Sequence, residues 1–229
     1  PTFFENFAEG FVRGNPELAP ERSRNREIGI EQAFLDGRGI IGATYFHQRF
    51  RNLIQFTSQP PAPGDPNFFN VGIATASGVE LTGSITTGAL DFSGSYSYLD
   101  TEVIDEGYGT DQQFLEGRRL LRRPQHHISF GGNYAIADRA RLGATIDHVG
   151  KRDDLDFSDP IQFAGIRIGL PAYTTVDFSG QYELLARGTS RITITASVQN
   201  ALNEKYEEIK NFPSPGRSVL IGIRSGIGL

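Results

Sequence analysis

Apolar residues recur at every second position through most of this chain, and the segments that show this are joined by connections alternating strictly between short and long. Side chains alternate across a strand, so each segment reads as a β-strand with one apolar and one polar face. Residues 90–101 give the cleanest case, with Phe92, Tyr96 and Tyr98 opposing Asp91, Ser93, Ser95 and Ser97. The same parity runs through Ile28, Ile30 and Phe34, through Val79, Leu81 and Ile85, and through Ile128, Phe130, Tyr134 and Ile136. It continues in Leu142, Ala144 and Ile146, in Val176, Phe178, Tyr182 and Leu184, and in Ile192, Ile194, Ala196 and Val198. In 218–229, Val219, Ile221, Ile223, Ile227 and Leu229 share one face and Arg224 lies on the other, with Leu220 and Ser225 as exceptions. Adding the long segment 38–56, whose parity is ambiguous around Tyr45 and Phe46, the pattern predicts about nine antiparallel strands.

The short connections fall at 36, 87, 137 and 187, and the long ones start at 57, 102, 150 and 201. Asp36-Gly37 supplies the positive φ of a tight turn, whereas 58–67 carries four prolines and reads as a loop. Residues 1–19, 102–124, 150–171 and 201–215 have no sustained period and are expected to be irregular. A soluble sandwich has no reason to sort its loops by length, but an outer-membrane barrel does, with short turns on the periplasmic side and long loops outside. Parity alone leaves both readings open: a sandwich turns its apolar faces inward, a wide barrel turns them toward lipid. Loop sorting, strand length and tyrosines near the strand ends favour the barrel over a soluble β-sandwich ligand- or carbohydrate-binding module.

Composition bounds the function. Hydrophobic residues make up only 38%, while 27 glycines, 17 phenylalanines and 8 tyrosines suit sheets with little central core. A net charge of −5 argues against nucleic acid as a partner. The absence of cysteine removes disulfides and thiolate metal sites from consideration. No run of about 18 apolar residues is present, which excludes a spanning helix but not spanning strands. With Pro1 first, no methionine and no signal peptide, the sequence reads as a processed or partial chain.

Five stretches then resemble, in order, the later barrel strands of TonB-dependent outer-membrane receptors. They are Asn15-Pro16-Glu17-Leu18-Ala19-Pro20-Glu21-Arg22-Ser23 with Glu27 and Gly29; Asn70-Val71-Gly72 with Ser77-Gly78-Val79-Glu80-Leu81; Tyr96-Ser97-Tyr98-Leu99-Asp100; Arg122-Arg123-Pro124-Gln125-His126; and Val198-Gln199-Asn200-Ala201-Leu202-Asn203-Glu204-Lys205-Tyr206, closing on Pro215-Gly216-Arg217. The resemblance implies an all-β meander forming the C-terminal part of a transmembrane barrel of roughly 22 strands, from about the fourteenth onward. It divides the chain into an extracellular-loop segment, 1–23, and a barrel segment, 24–229. It also implies a bacterial outer-membrane receptor for active uptake of a scarce nutrient such as a ferric siderophore, not an enzyme, with no cofactor. The implied partners are the N-terminal barrel strands and plug, the TonB complex acting through that plug, lipopolysaccharide and phospholipid, and an extracellular small-molecule chelate. One departure is the end: the family usually closes on an aromatic residue, and Leu229 stands here.

No catalytic constellation is evident. His126 and His127 are strand neighbours that face opposite ways and cannot jointly hold one metal. Asp153, Asp154, Asp156 and Asp159 lack the glycine and closing glutamate of an EF-hand loop, so a solvated acidic loop is expected. Arg118, Arg119, Arg122 and Arg123 form the sharpest charge cluster, able to bind carboxylates of a chelate or phosphates of lipopolysaccharide. The plainer reading is that Arg122-Arg123-Pro124 pins a strand start. Tyr108 and Phe114 could stack on an aromatic ligand or anchor their own loop. Arg118, Arg119, Tyr108 and Phe114, with Lys151 and Arg152 in the next long connection, form the expected substrate-binding set.

Overall fold

The computed structural model describes residues 1–58, 60, 62–107, 114–158, 165–188 and 190–227. Nine strands build one antiparallel sheet: β1 (Arg22–Phe34), β2 (Gly39–Phe56), β3 (Phe68–Thr87), β4 (Leu90–Asp105), β5 (His126–Ala137), β6 (Ala140–Val149), β9 (Tyr173–Arg187), β10 (Ser190–Gln199) and β13 (Ser218–Ile227). Between β6 and β9 the long connection carries its own hairpin, β7 (Arg152–Asp156) with β8 (Ile166–Leu170). Between β10 and β13 lies a second hairpin, β11 (Glu207–Ile209) with β12 (Phe212–Pro213). Each of the nine strands pairs with the next wall strand in the chain, so the sheet is a plain meander whose edges are β1 and β13.

Register carries the alternation across the whole wall. One rung joins Phe34, Gly39, Ile85, Phe92, Gly132, Ala144, Phe178, Val198 and Val219, all apolar or small. The neighbouring rung on the other face joins Ser84, Ser93, Gly131, Thr145 and Asp177. The apolar face has no cover: Ile28 is 72% exposed, Ile221 77% and Ile223 74%. Among the described residues no second sheet layer packs on it, as a sandwich requires. A single layer with one continuous greasy face is stable when lipid takes the place of a second layer. Leu220, off-parity, pairs with Ser197 on the polar side, and Ser225 pairs with Ile192 on the apolar side.

The turns sort as expected. Leu35, Asp36 and Gly37 all have positive φ in the first hairpin, and Gly88 and Gly188 open the β3–β4 and β9–β10 turns at φ 59°. The 20 residues of β3 exceed the roughly 9–11 that a tilted strand needs to cross a bilayer, so the sheet projects beyond it at the long-loop end. A β-carbon on Gly78 would lie 2.1 Å from the Tyr98 carbonyl and 2.8 Å from the Phe46 ring. The ring covers a site where two strands approach closely. Gly78→Ala is therefore expected to cost about 1–3 kcal/mol, read as a lowered denaturant midpoint of the refolded receptor.

Three segments expected to be irregular hold structure. Within 1–19, α1 (Phe3–Phe7) is capped reciprocally by Thr2 and Glu5. That capping box was visible in the sequence, but five residues are too few for a helical period. β7 has no apolar alternation because its charged side chains find partners among the loops. β11 and β12 are too short to show any pattern.

Candidate functional site

At the long-loop end, the connections β4–β5, β6–β9 and β10–β13 are tied together around one carboxylate. Asp154 is fully buried; it accepts a hydrogen bond from Arg122 Nε at 2.7 Å and another from the Lys210 backbone N–H at 2.7 Å. Each bond comes from a different connection. Arg122, at φ 57°, also donates its backbone N–H to the Asp153 carbonyl at 2.8 Å. Arg152 is 6% exposed, donates to the carbonyls of Pro171 and Glu207, and lies 5.3 Å from the Tyr173 ring centre. Tyr173 stacks on Tyr206 at 3.9 Å and donates to Glu208 at 3.1 Å. Beneath the β4–β5 loop, Phe69, Val103 and Phe114 form a small core with Leu53 and Leu120 packed against it.

The acidic run in this loop is thus not a solvated one. Asp153 pairs with Arg167 at 2.8 Å, and Asp154 is the buried anchor. Asp156 is held below the usual carboxylate range by its hydrogen bonds to Ser158. Asp159 lies outside the described residues. Sequence reading missed these partners because they meet only in the fold: Arg167 lies on the facing strand of the β7–β8 hairpin, and Arg122 and Lys210 lie on other connections.

Beside the anchor lies an open crevice of about 470 Å³, lined among others by Arg119, Arg123, Gln125, Lys151, Arg152 and Asp153. Asp153 already faces Arg167, and Arg152 is committed to loop carbonyls. Arg119 donates to the Leu99 carbonyl at 2.6 Å and lies 3.7 Å from the Asp100 carboxylate, while its buried Nε has no hydrogen-bond partner among the described residues. Arg123 and Lys151 are exposed and have no ion pair among the described residues. The crevice consequently presents excess positive charge to solvent.

Of the six residues expected from sequence to bind substrate, Arg119, Lys151 and Arg152 share this crevice. Arg118 is exposed and does not line it. Phe114 is 6% exposed, packed into the small core. Tyr108 lies outside the described residues. Arg123 and Gln125 are further lining residues; Arg123 was legible as part of the arginine run, Gln125 only as part of a strand-entry motif. His126 turns to the apolar face, its Nδ1 2.9 Å from Tyr96 Oη, whereas His127 pairs with Ser97 on the polar face. Among the described residues no group of three metal-ligating side chains occurs.

An uncovered apolar face, a polar opposite face, loops sorted by length and strands longer than a bilayer define the wall of a transmembrane β-barrel. Residues 1–201 match the model for the β-barrel of TonB dependent receptor-like proteins, and the chain belongs to that family. It is 33% identical over 217 residues to the metal-pseudopaline receptor CntO of Pseudomonas aeruginosa, a match covering 90% of this chain and 28% of that protein. It is 27% identical over 225 residues to the vitamin B12 transporter BtuB of Vibrio cholerae, covering 97% and 32% respectively. The crystal structure of the ferripyoverdine receptor of the Pseudomonas aeruginosa outer membrane superposes with a TM-score of 0.70 at 19% identity, covering 91% of this chain and 28% of that one. The chain thus spans less than a third of the length of these relatives. These relatives are transport receptors, and the protein is a component of the bacterial outer membrane.

Proposed function

We propose that the chain forms the C-terminal strands of a receptor that takes up a scarce nutrient as an anionic metal chelate, with energy supplied by TonB through a plug. Residues 1–23 serve as the extracellular-loop segment, whose last two residues, Arg22 and Ser23, already pair with β2, and 24–229 carry the barrel wall. The crevice carries this reading: Arg123 and Lys151, two cations without an ion pair among the described residues, stand beside the half-satisfied Arg119 at the extracellular rim. Guanidinium and ammonium groups so placed favour carboxylates on an incoming chelate. Arg152 acts differently, by holding the crevice wall in place.

Metal–pseudopaline is the first probe, because the receptor at 33% identity is named for it. In the full-length receptor, Arg123→Gln with Lys151→Gln is expected to weaken its binding about 10- to 100-fold, measured by calorimetry. Unchanged affinity would overturn the assignment of the crevice. The vitamin B12 relative supports a second reading, and cobalamin bound equally by parent and variant, with no binding of the metal chelate, would favour it.

A further inference from the structure

A second basic cluster lies on the outer face of the wall. β1 and β2 pair so that Arg22 faces Arg51, Arg24 faces Arg49 and Arg26 faces His47. These are three successive rungs on the same parity as Ile28 opposite Tyr45 and Ile30 opposite Ala43, of which Ile28, Ile30 and Tyr45 are exposed on the apolar face. Side chains directly opposite in an antiparallel pair approach to roughly 5 Å, and like charges placed so repel. No carboxylate relieves them: among the described residues none of the five arginines has an ion pair. On β3 the same rungs continue as Ser77, Thr75 and Ile73, all neutral. The first acids, Asp100 and Glu102, come one strand later, roughly 10 Å from β2. Five arginines, one histidine and Ser23 line a shallow pocket of about 440 Å³, in a chain whose net charge is −5.

Position names the counter-ion. Arg26 lies eight residues from Phe34, so it stands about 27 Å along the strand and about 20 Å along the membrane normal at a tilt near 40°. Counted from Phe34 at the lower margin, that is about 5 Å short of the top of an apolar band roughly 25 Å tall. Arg24 and Arg22 stand one and two steps higher. We propose that these three rungs bind the phosphate groups of anionic lipid headgroups in the outer leaflet, with Ile28, Ile30 and Tyr45 against the acyl chains below. The repulsion built into the ladder is relieved when phosphate oxygens bridge the paired guanidinium groups, which suit bidentate contacts. The site is independent of the nutrient carried, and it shares no lining residue with the crevice beside Asp154.

The test uses the full-length receptor in neutral detergent, titrated with diphosphorylated lipid A and followed by its thermal unfolding midpoint. Lipid A is expected to raise the midpoint of the parent. Arg24→Gln, Arg26→Gln and Arg49→Gln together are expected to weaken the apparent affinity roughly 100-fold. Arg38→Gln with Arg139→Gln, at the short-turn end, is expected to leave it unchanged. Without lipid, the triple variant is expected to unfold no lower than the parent, since only repulsion has been removed. A lower midpoint there would mean that a protein carboxylate is the partner and would overturn the proposal. So would an equal lipid response in the triple variant, or a full response to inorganic phosphate at matched concentration, which would make the site one for free anions.

Discussion

Replacing Asp154 with alanine is expected to destabilise the extracellular cap by about 2–3 kcal/mol while leaving the barrel wall intact. The carboxylate is fully buried and joins a guanidinium from the β4–β5 connection to a backbone N–H from β11–β12. Its loss strands the Lys210 N–H away from any acceptor and leaves Arg122 without its partner. Breaking a fully buried pair costs about 3–5 kcal/mol, but the Arg122 side chain is 43% exposed and regains water, which lowers the figure. Asp154→Asn keeps an acceptor for Lys210 and loses only the charge, so about half the effect is expected. Protease cleavage within the long loops should accelerate in both variants, in that order, with the heat-resistant mobility of the barrel unchanged. Cleavage rates equal to the parent would show that the three connections are held by something other than this carboxylate.

The division between wall and cap also separates what the sequence could reveal. Wall strands answer to two solvents, lipid on one side and polar surroundings on the other, and that constraint acts along each strand, as in β4 from Phe92 or β10 to Val198, as a period of two. Loop lengths add the direction across the membrane. The cap obeys no such local rule, because Asp154, Arg122 and Lys210 come from three connections and meet only in the fold. Arg152 could be recognised as a cation in a loop, but its burial beneath Tyr173 depends on β11 and the start of β9. Phe114 was ambiguous for the same reason: an aromatic in a loop stacks on ligand or on its own core, and Phe69 and Val103 decide for the core. The outer basic rungs lay nearer to legibility. Arg22, Arg24 and Arg26 alternate in plain sight, but the parity of β2 was ambiguous around Tyr45, and only the register joins them to Arg49 and Arg51.

An arginine at Phe130 is expected to cost about 2–4 kcal/mol, whereas one at the adjacent Ser129 is expected to cost less than about 1 kcal/mol. Phe130 stands on the apolar face, 49% exposed, stacked with Phe92 at 6.0 Å. Along β5 it is midway between His126, which lies against Tyr96 and Tyr98, and Tyr134, which marks the lower girdle. Those aromatic rings belong at the two interfaces, so the residue between them sits near the middle of the hydrocarbon, where a guanidinium is most costly. Ser129 points the other way and pairs with Ser95 and Asp147. There a new arginine gains a carboxylate on the next strand, within reach of a cross-strand pair. Denaturant midpoints of the full-length receptor refolded into lipid vesicles measure both values in one background. The opposite ranking would exchange the two faces of the sheet, and equal costs would remove lipid as the cover of the apolar one; the difference between two neighbouring residues therefore tests the membrane assignment rather than general tolerance of the strand.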